Sequence, residues 1–293
     1  MKPLLPLIVA LLVSSAIPAQ HDPILNQFEL QRIMRENNTI QFLGINLMRT
    51  YLMELDGDAI TGRRALISEV YYTPQGNPDY TLYYDSIGKR DRYTLFRYND
   101  NNIKTEEIYF TRDSLLRGGF AVESNSKGIT QKQYYYNNRG EFVARQEYKY
   151  DSVNNQVIAQ IYNHSNQLTM KRHYVFDADG NNEIVKYVYT RSAEGDLIDS
   201  ISLSYGTGGL VEEKRFYDAN GVMIQKLEYV YNESGAVLKS IENNRVTRHI
   251  RELSFTYDEF ENMEGMLESI DGKPMSYLRF EYYTRVDENS GKQ

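Results

Sequence analysis

The 293-residue chain has no cysteine, no tryptophan, seven prolines and four histidines. Without thiols it can form neither disulfide staples nor thiolate zinc sites, and lipid attachment through an N-terminal cysteine is excluded. Few prolines leave backbone N–H groups free to pair along nearly the whole length. The histidines, His21, His164, His173 and His249, stand apart and form no HExxH pattern, so they do not read as a metal or catalytic centre. No P-loop, G-x-S-x-G elbow or dinucleotide fingerprint occurs, and no cofactor is expected. The stretch "DADGNNE" from Asp177 has Gly180 two residues too early for an EF-hand loop. A basic patch is missing too: the formal charge is -7, with lysine and arginine dispersed among the acids. That balance argues against nucleic acid as a partner.

Long apolar runs are scarce. One, Leu4 to Val13, follows Met1-Lys2 and precedes Ser14-Ser15-Ala16-Ile17-Pro18-Ala19. A positive charge, an apolar stretch too short to span a bilayer and a small residue at the exit make the three parts of a secretory signal peptide. The expectation is a signal peptide at 1–19, cleavage after Ala19, and an exported mature chain in the periplasm, on the outer surface or in the medium. No second run reaches membrane-spanning length, so no transmembrane segment is expected in the mature chain.

What the chain has in plenty is tyrosine, 26 residues of it, a residue suited to half-buried pleated surfaces. Many stand in a recurring phrase, Tyr-Asp/Asn-x-x-Gly, as at Tyr217 to Gly221 and Tyr231 to Gly235. The tyrosine, or a stand-in, falls at Tyr72, Tyr84, Tyr98, Phe110, Tyr136, Tyr150, Tyr162, Phe176, Tyr205, Tyr217, Tyr231 and Tyr257. Most gaps are 12 or 14 and tend to alternate, so two add to 26: Tyr98, Ser124, Tyr150 and Phe176 form one series and Tyr205, Tyr231 and Tyr257 another. That is the length of two strands and two tight turns. Asp177-Ala178-Asp179-Gly180, Asn137-Asn138-Arg139-Gly140 and Asn220-Gly221 supply turn chemistry.

Between turns the residues alternate. Phe142, Ala144, Gln146, Tyr148 and Tyr150 fall on one face, with Val143, Arg145, Glu147 and Lys149 on the other. Met223, Leu227, Tyr229 and Tyr231 separate in the same way from Lys226 and Glu228. The register extends back to Asp58 and forward to Ile270. It predicts about seventeen turns in one all-β antiparallel meander over 47–284, forming a twisted or curled sheet or a partial barrel. Residues 20–46 read as a helical cap and lead-in: Asp22 is placed to cap a short helix, with Pro23 at its first position, that would cover the exposed edge. Residues 285–293 form a polar tail.

The phrases "FYDANG", "VFDADG" and "YVYNESG" resemble the YD/RHS class of β-hairpin repeats, and above all its short exported members in Bacteroidetes-type bacteria. The resemblance covers about Leu47 to Tyr283, with Ser124, Asn154 and Asn243 departing from the pattern. It implies an all-β repeat fold and, for most members, no assigned activity.

Alternate phrase residues stack along one edge of the sheet. Tyr72, Tyr98, Tyr150, Phe176, Tyr205, Tyr231 and Tyr257 lie on one; Tyr84, Phe110, Tyr136, Tyr162 and Tyr217 lie on the other. The first row is a candidate aromatic platform for a glycan or an extended chain, although a residue required in every unit is more simply required by the unit. Asp85-Ser86, Asp113-Ser114, Asp151-Ser152 and Asp199-Ser200, each followed by an aliphatic residue, have the form of an O-glycosylation acceptor that turn chemistry also favours. The preferred function is a non-enzymatic binding or scaffolding module at the cell envelope, with a protein or glycan ligand. A glycan-active hydrolase or lyase, and an accessory or neutralising protein for a secreted toxin, stay open as alternatives.

Overall fold

The structure is a computed structural model that describes residues 36–57, 59–125, 130–151, 153–177, 184–206 and 209–284. Among these, helix α1 (36–42) leads into β1 (Ile45–Asp56), β2 (Ala59–Tyr72), β3 (Pro78–Tyr84), β4 (Arg90–Tyr98), β5 (Lys104–Thr111) and β6 (Leu116–Ser124). The chain continues through β7 (Thr130–Tyr136), β8 (Phe142–Asp151), β9 (Gln156–Asn163), β10 (Leu168–Phe176), β11 (Val185–Ser192) and β12 (Leu197–Tyr205). It ends with β13 (Val211–Asp218), β14 (Met223–Tyr231), β15 (Val237–Asn244), β16 (His249–Tyr257), β17 (Met263–Ile270) and β18 (Lys273–Thr284). Each strand pairs antiparallel with the next, as the turn periodicity requires.

The expected open sheet is corrected at its edges. β1 also pairs with β18, from Ile45 opposite Thr284 to Met53 opposite Tyr277, so the meander closes into a barrel. Closure satisfies both rows of edge N–H and C=O groups at once, which a curled open sheet cannot do. The seam is reinforced outside: Arg49 pairs with Glu69 at 2.8 Å and lies 4.9 Å from the Tyr283 ring centre, while Arg64 pairs with Glu281 and covers Tyr51 at 4.2 Å.

The helix expected from Asp22 lies mostly outside the described residues, as do the signal peptide and the polar tail. The described helix packs on the β2–β3 turn, where Asn37 Nδ2 donates to Asn77 Oδ1 at 3.1 Å. Gly76 sits there at φ +78°, and a Cβ on it would lie 2.2 Å from the Asn37 carbonyl oxygen. Only glycine allows that approach.

The repeated phrase makes one turn over and over. In the β13–β14 hairpin the Asp218 carboxylate accepts from the N–H groups of Asn220 and Val222, both at 2.9 Å, and Gly221 N–H donates to the Asp218 carbonyl at 3.0 Å. Gly221 takes φ +78°, and Asn232 with Gly235 repeats the geometry at φ +88°. This is a type I turn closed by a left-handed residue that opens a bulge. The bulge shifts the register beside the turn, between Phe216 and Tyr217 and again between Val230 and Tyr231.

That shift corrects the simple alternation. Ala144, Gln146, Tyr148 and Tyr150 do share one face, but Phe142 pairs across the bulge with Tyr136 and packs edge-on against Tyr134, on the opposite side. Met223 likewise sits opposite Tyr217.

Some turns carry the left-handed conformation on other residues, among them Asn166 and, at φ +65°, Glu261. A Cβ on Gly221 would meet nothing within 4 Å, so strain there comes from φ alone. Gly221→Val and Gly235→Val should each destabilise by about 1–2 kcal/mol, and Glu261→Gly should stabilise by about 1 kcal/mol. Thermal unfolding checks all three. The comparable Gly180 lies outside the described residues.

Candidate functional site in the barrel lumen

One face of the closed sheet holds both apolar clusters: Ala159, Tyr174, Val185 and Val188 with their neighbours, and Ile67, Met266 and Leu278 with theirs. It also buries Thr50, Ser68, Thr81, Thr94 and Lys104. Crowding of this kind marks the concave side, so this face lines the lumen. The other face carries Arg97, Glu106, Arg145, Glu147, Lys226 and Glu228, in pairs such as Arg97–Glu106 at 3.1 Å and Lys226–Glu228 at 2.9 Å. Among the described residues no helix is long and apolar enough to cross a membrane.

Eighteen strands at ~4.8 Å make a perimeter of ~86 Å, which as a circle is ~27 Å across and wider than the ~10 Å that two facing walls fill. Each described apolar cluster accordingly comes from neighbouring strands, without a bridge between opposite walls. Luminal tyrosines keep accessible surface although protein surrounds them. Tyr72, Tyr83, Tyr98 and Tyr282 are half-buried and Tyr109 is 36% exposed, yet desolvation raises the pKa of every one.

The two phrase rows lie at opposite rims and on opposite faces. Tyr72, Tyr98, Tyr150, Phe176, Tyr205, Tyr231 and Tyr257 point inward at one rim. Tyr84, Phe110, Tyr136, Tyr162 and Tyr217 point outward at the other; Tyr93 and Phe110 stack there at 4.7 Å, and Arg145 covers Tyr162 at 4.6 Å.

The inner row does structural duty over much of its length. Tyr205 hydroxyl donates to the Val185 carbonyl at 2.7 Å, Tyr231 to Val211 at 2.6 Å, Tyr257 to Val237 at 2.8 Å and Tyr282 to Met263 at 3.0 Å. Each clasps the first residue of the preceding strand. The row is less uniform elsewhere: Phe176 packs into an apolar cluster, and Tyr150 is 59% exposed with its hydroxyl 3.4 Å from Asn155.

A polar wall runs over β4–β8, where the units also depart from this pattern. Where β11, β13, β15 and β17 begin with Val185, Val211, Val237 and Met263, β5 begins with Lys104 and β7 with Thr130. Lys104 is 1% exposed; its Nζ lies 2.8 Å from Glu107 and 5.4 and 5.5 Å from the Phe96 and Phe120 ring centres. Burial lowers its pKa, and the Glu107 carboxylate opposes that shift. Alongside, Tyr135 and Tyr148 both donate to Gln133 Oε1, at 3.1 and 3.0 Å, and Gln146 donates to the Tyr148 hydroxyl at 2.8 Å. Tyr109 completes the wall, its pKa raised by burial and by Glu107.

A second luminal network links Gln225, Glu242, Arg251, Glu268 and Ser276, with Arg251 Nε 2.6 Å from Glu268. Sequence reading missed both networks. The signal was available: aligning the units in their 26-residue register puts Lys104 and Thr130 under valines. His173 meets Gln156 at 3.2 Å and His249 meets Asp271 at 2.7 Å, on separate strands. No group of three or more metal-ligating side chains occurs among the described residues.

The fold is thus an all-β repeat barrel. No family model and no curated protein matches the chain. Solved structures with some likeness include a chain of a TcdB2-TccC3-Cdc42 crystal structure, at 11% identity and TM-score 0.30, over 79% of this chain and 14% of that one. This chain therefore spans about one-seventh of that relative's length. A porin-like protein from Bacteroides uniformis ATCC 8492 is 8% identical at TM-score 0.28, over 82% and 96% of the two chains. A chain of a GtfA/B complex bound to UDP and GlcNAc is 18% identical at TM-score 0.22, over 50% and 25%. Likeness this weak carries no functional conclusion.

Two outcomes follow from the tyrosines. Tyr231→Phe removes one clasp and should cost about 0.5–1.5 kcal/mol in thermal unfolding. Luminal tyrosines have pKa values raised above the unfolded value of about 10, so the folded state retains protons that the unfolded chain gives up. Their stabilising contribution is complete below pH 10 and is lost as pH rises towards the folded values. Tyrosinate absorbance and melting temperature, followed from pH 8 to 12, should change together.

Proposed function

We propose that this is an exported, non-enzymatic β-repeat protein that binds a ligand, a glycan or a protein, within its barrel at the cell envelope. It is read as a small YD/RHS-like barrel of the Bacteroidetes type, with residues 1–19 removed on export, 20–46 as lead-in and 47–284 as the binding domain. One observation carries the reading. At the rim the regular units of β11–β18 join a valine or methionine to a tyrosine clasp, whereas β5 and β7 carry Lys104 and Thr130 there, beside amides, an ion pair and the accessible rings of Tyr109 and Tyr135. Repeat architectures carry function on residues the repeat itself does not require. The inner row of tyrosines then serves mainly as a frame, and Tyr150, the exposed member, borders the polar wall.

Binding is favoured over hydrolysis by the engagement of the luminal carboxylates. A glycosidase needs two carboxyl groups set to flank a glycosidic bond. Glu107 is instead ion-paired with Lys104 at 2.8 Å, and Glu242 and Glu268 both pair with Arg251.

Mass spectrometry of the exported protein should find the mature chain starting near Gln20. The purified protein should retain a ligand without releasing product from polysaccharides. Product release abolished by Glu107→Gln or Glu268→Gln, with the fold intact, would sink the binding reading and promote the hydrolase.

A further inference from the structure

We infer that the polar wall holds a neutral oligosaccharide, with Tyr109 and Tyr135 as its two stacking platforms; this deepens the luminal binding reading and rests on it. These rings belong to β5 and β7, two strands apart, and their partners on β6, Gly118 and Phe120, are two residues apart, so the two positions lie on a diagonal of ~12 Å at ordinary strand spacing and rise. They are 36% and 37% exposed.

Their exposure has a local cause. Tyr109 pairs directly with Gly118, and Tyr135 pairs directly with Ala144. Six residues before the rim position, where Gly118 and Ala144 stand, other units carry Arg92, Asp199, Gln225 or Arg251. Gly118 takes φ +136°, and a Cβ on it would lie 2.6 Å from the Tyr136 carbonyl oxygen. Two small residues thus remove the side chains that would otherwise lie across the rings.

The groups between and beside the rings select the ligand. Phe120 lies 6.4 Å from Tyr135 and extends the aromatic surface. Glu107 and Lys104 neutralise each other at 2.8 Å, and Arg92, which covers the luminal Tyr83 at 4.7 Å, is paired with Asp91 at 3.1 Å, so the charges along this stretch of wall are matched. The wall offers the Glu107 carboxylate, the Gln133 amide and phenolic hydroxyls, which suit alcohols that both donate and accept. Flat apolar faces edged with hydroxyls are what a pyranose chain presents. An aromatic floor with a few placed polar groups is the usual make-up of such a pocket.

Ala144→Gln is the decisive variant, because it installs the residue that the β14 unit carries at Gln225 and should leave the melting temperature unchanged. The full exported chain, Ala144→Gln, Tyr109→Ala and an outer-wall control, Lys239→Ala, would be titrated with neutral hexasaccharides of glucose, mannose and xylose. Acidic oligosaccharides and extended peptides would be run in parallel. The expected result is binding of at least one neutral oligosaccharide, weakened about tenfold or more in both luminal variants and retained in the control. No binding of a neutral sugar, or binding indifferent to both luminal changes, overturns the assignment. If an acidic sugar or peptide binds instead and Ala144→Gln blocks it, only the ligand class falls. If every bound ligand ignores Ala144→Gln, the luminal reading falls with it.

Discussion

Among the described residues, a sheet of eighteen strands with one apolar face and no second layer packs against itself, and the β1–β18 pairing lets it do so. Joining Ile45 to Thr284 closes a loop roughly sixty times longer than a hairpin turn. At about 0.6 kcal/mol per doubling, that adds ~4 kcal/mol to the entropic cost of a single turn. Eight residue pairs offset it, and Arg49, held between Glu69 and Tyr283, ties both neighbours of β1 across the outside of the seam. Hydrogen-bonding to Glu69 raises the Arg49 pKa, so the cation persists wherever the fold does.

Given closure, the rest follows from one local motif used on two faces. The Asp/Asn side chain fixes the turn, the left-handed residue opens the bulge, and the bulge sets where the tyrosine points. At one rim the ring turns inward and its hydroxyl reaches a carbonyl on the preceding strand; at the other it turns outward and packs on its neighbours. The same five letters therefore build an inner frame and an outer skin. The phrase encodes shape, and Tyr231 with Gly235 shows both halves of it.

Local features were legible in the sequence because their causes are local. Turn positions, strand count, antiparallel order and the shared face of Ala144, Gln146, Tyr148 and Tyr150 follow from Asx-Gly chemistry and a period of two. Closure was not legible, since nothing near Ile45 or Thr284 names its partner more than two hundred residues away. The placing of Phe142 on the same face as Ala144 failed for a different reason: strict alternation ignores the residue that a bulge inserts beside each turn. The polar wall escaped because Lys104 and Glu107 look like ordinary members of a charged strand until the strand's faces are known. Once Lys104 falls under Val185, Val211 and Val237, its burial becomes the anomaly.

That anomaly bears on how a repeat protein can hold a site at all. Identical units would give a lumen of uniform lining, with each clasp spending its tyrosine hydroxyl on backbone. A site requires some units to give up that bond, and the barrel tolerates this because each strand is still paired on both sides. Lys104 illustrates the exchange: burial of its ammonium is unfavourable, and Glu107 together with the faces of Phe96 and Phe120 recovers part of the loss. A single open sheet would fray at such a unit. In a closed one the weak sector is held by its neighbours, so the polar wall and the seam occupy different arcs of the same ring, the one free to vary because the other does not.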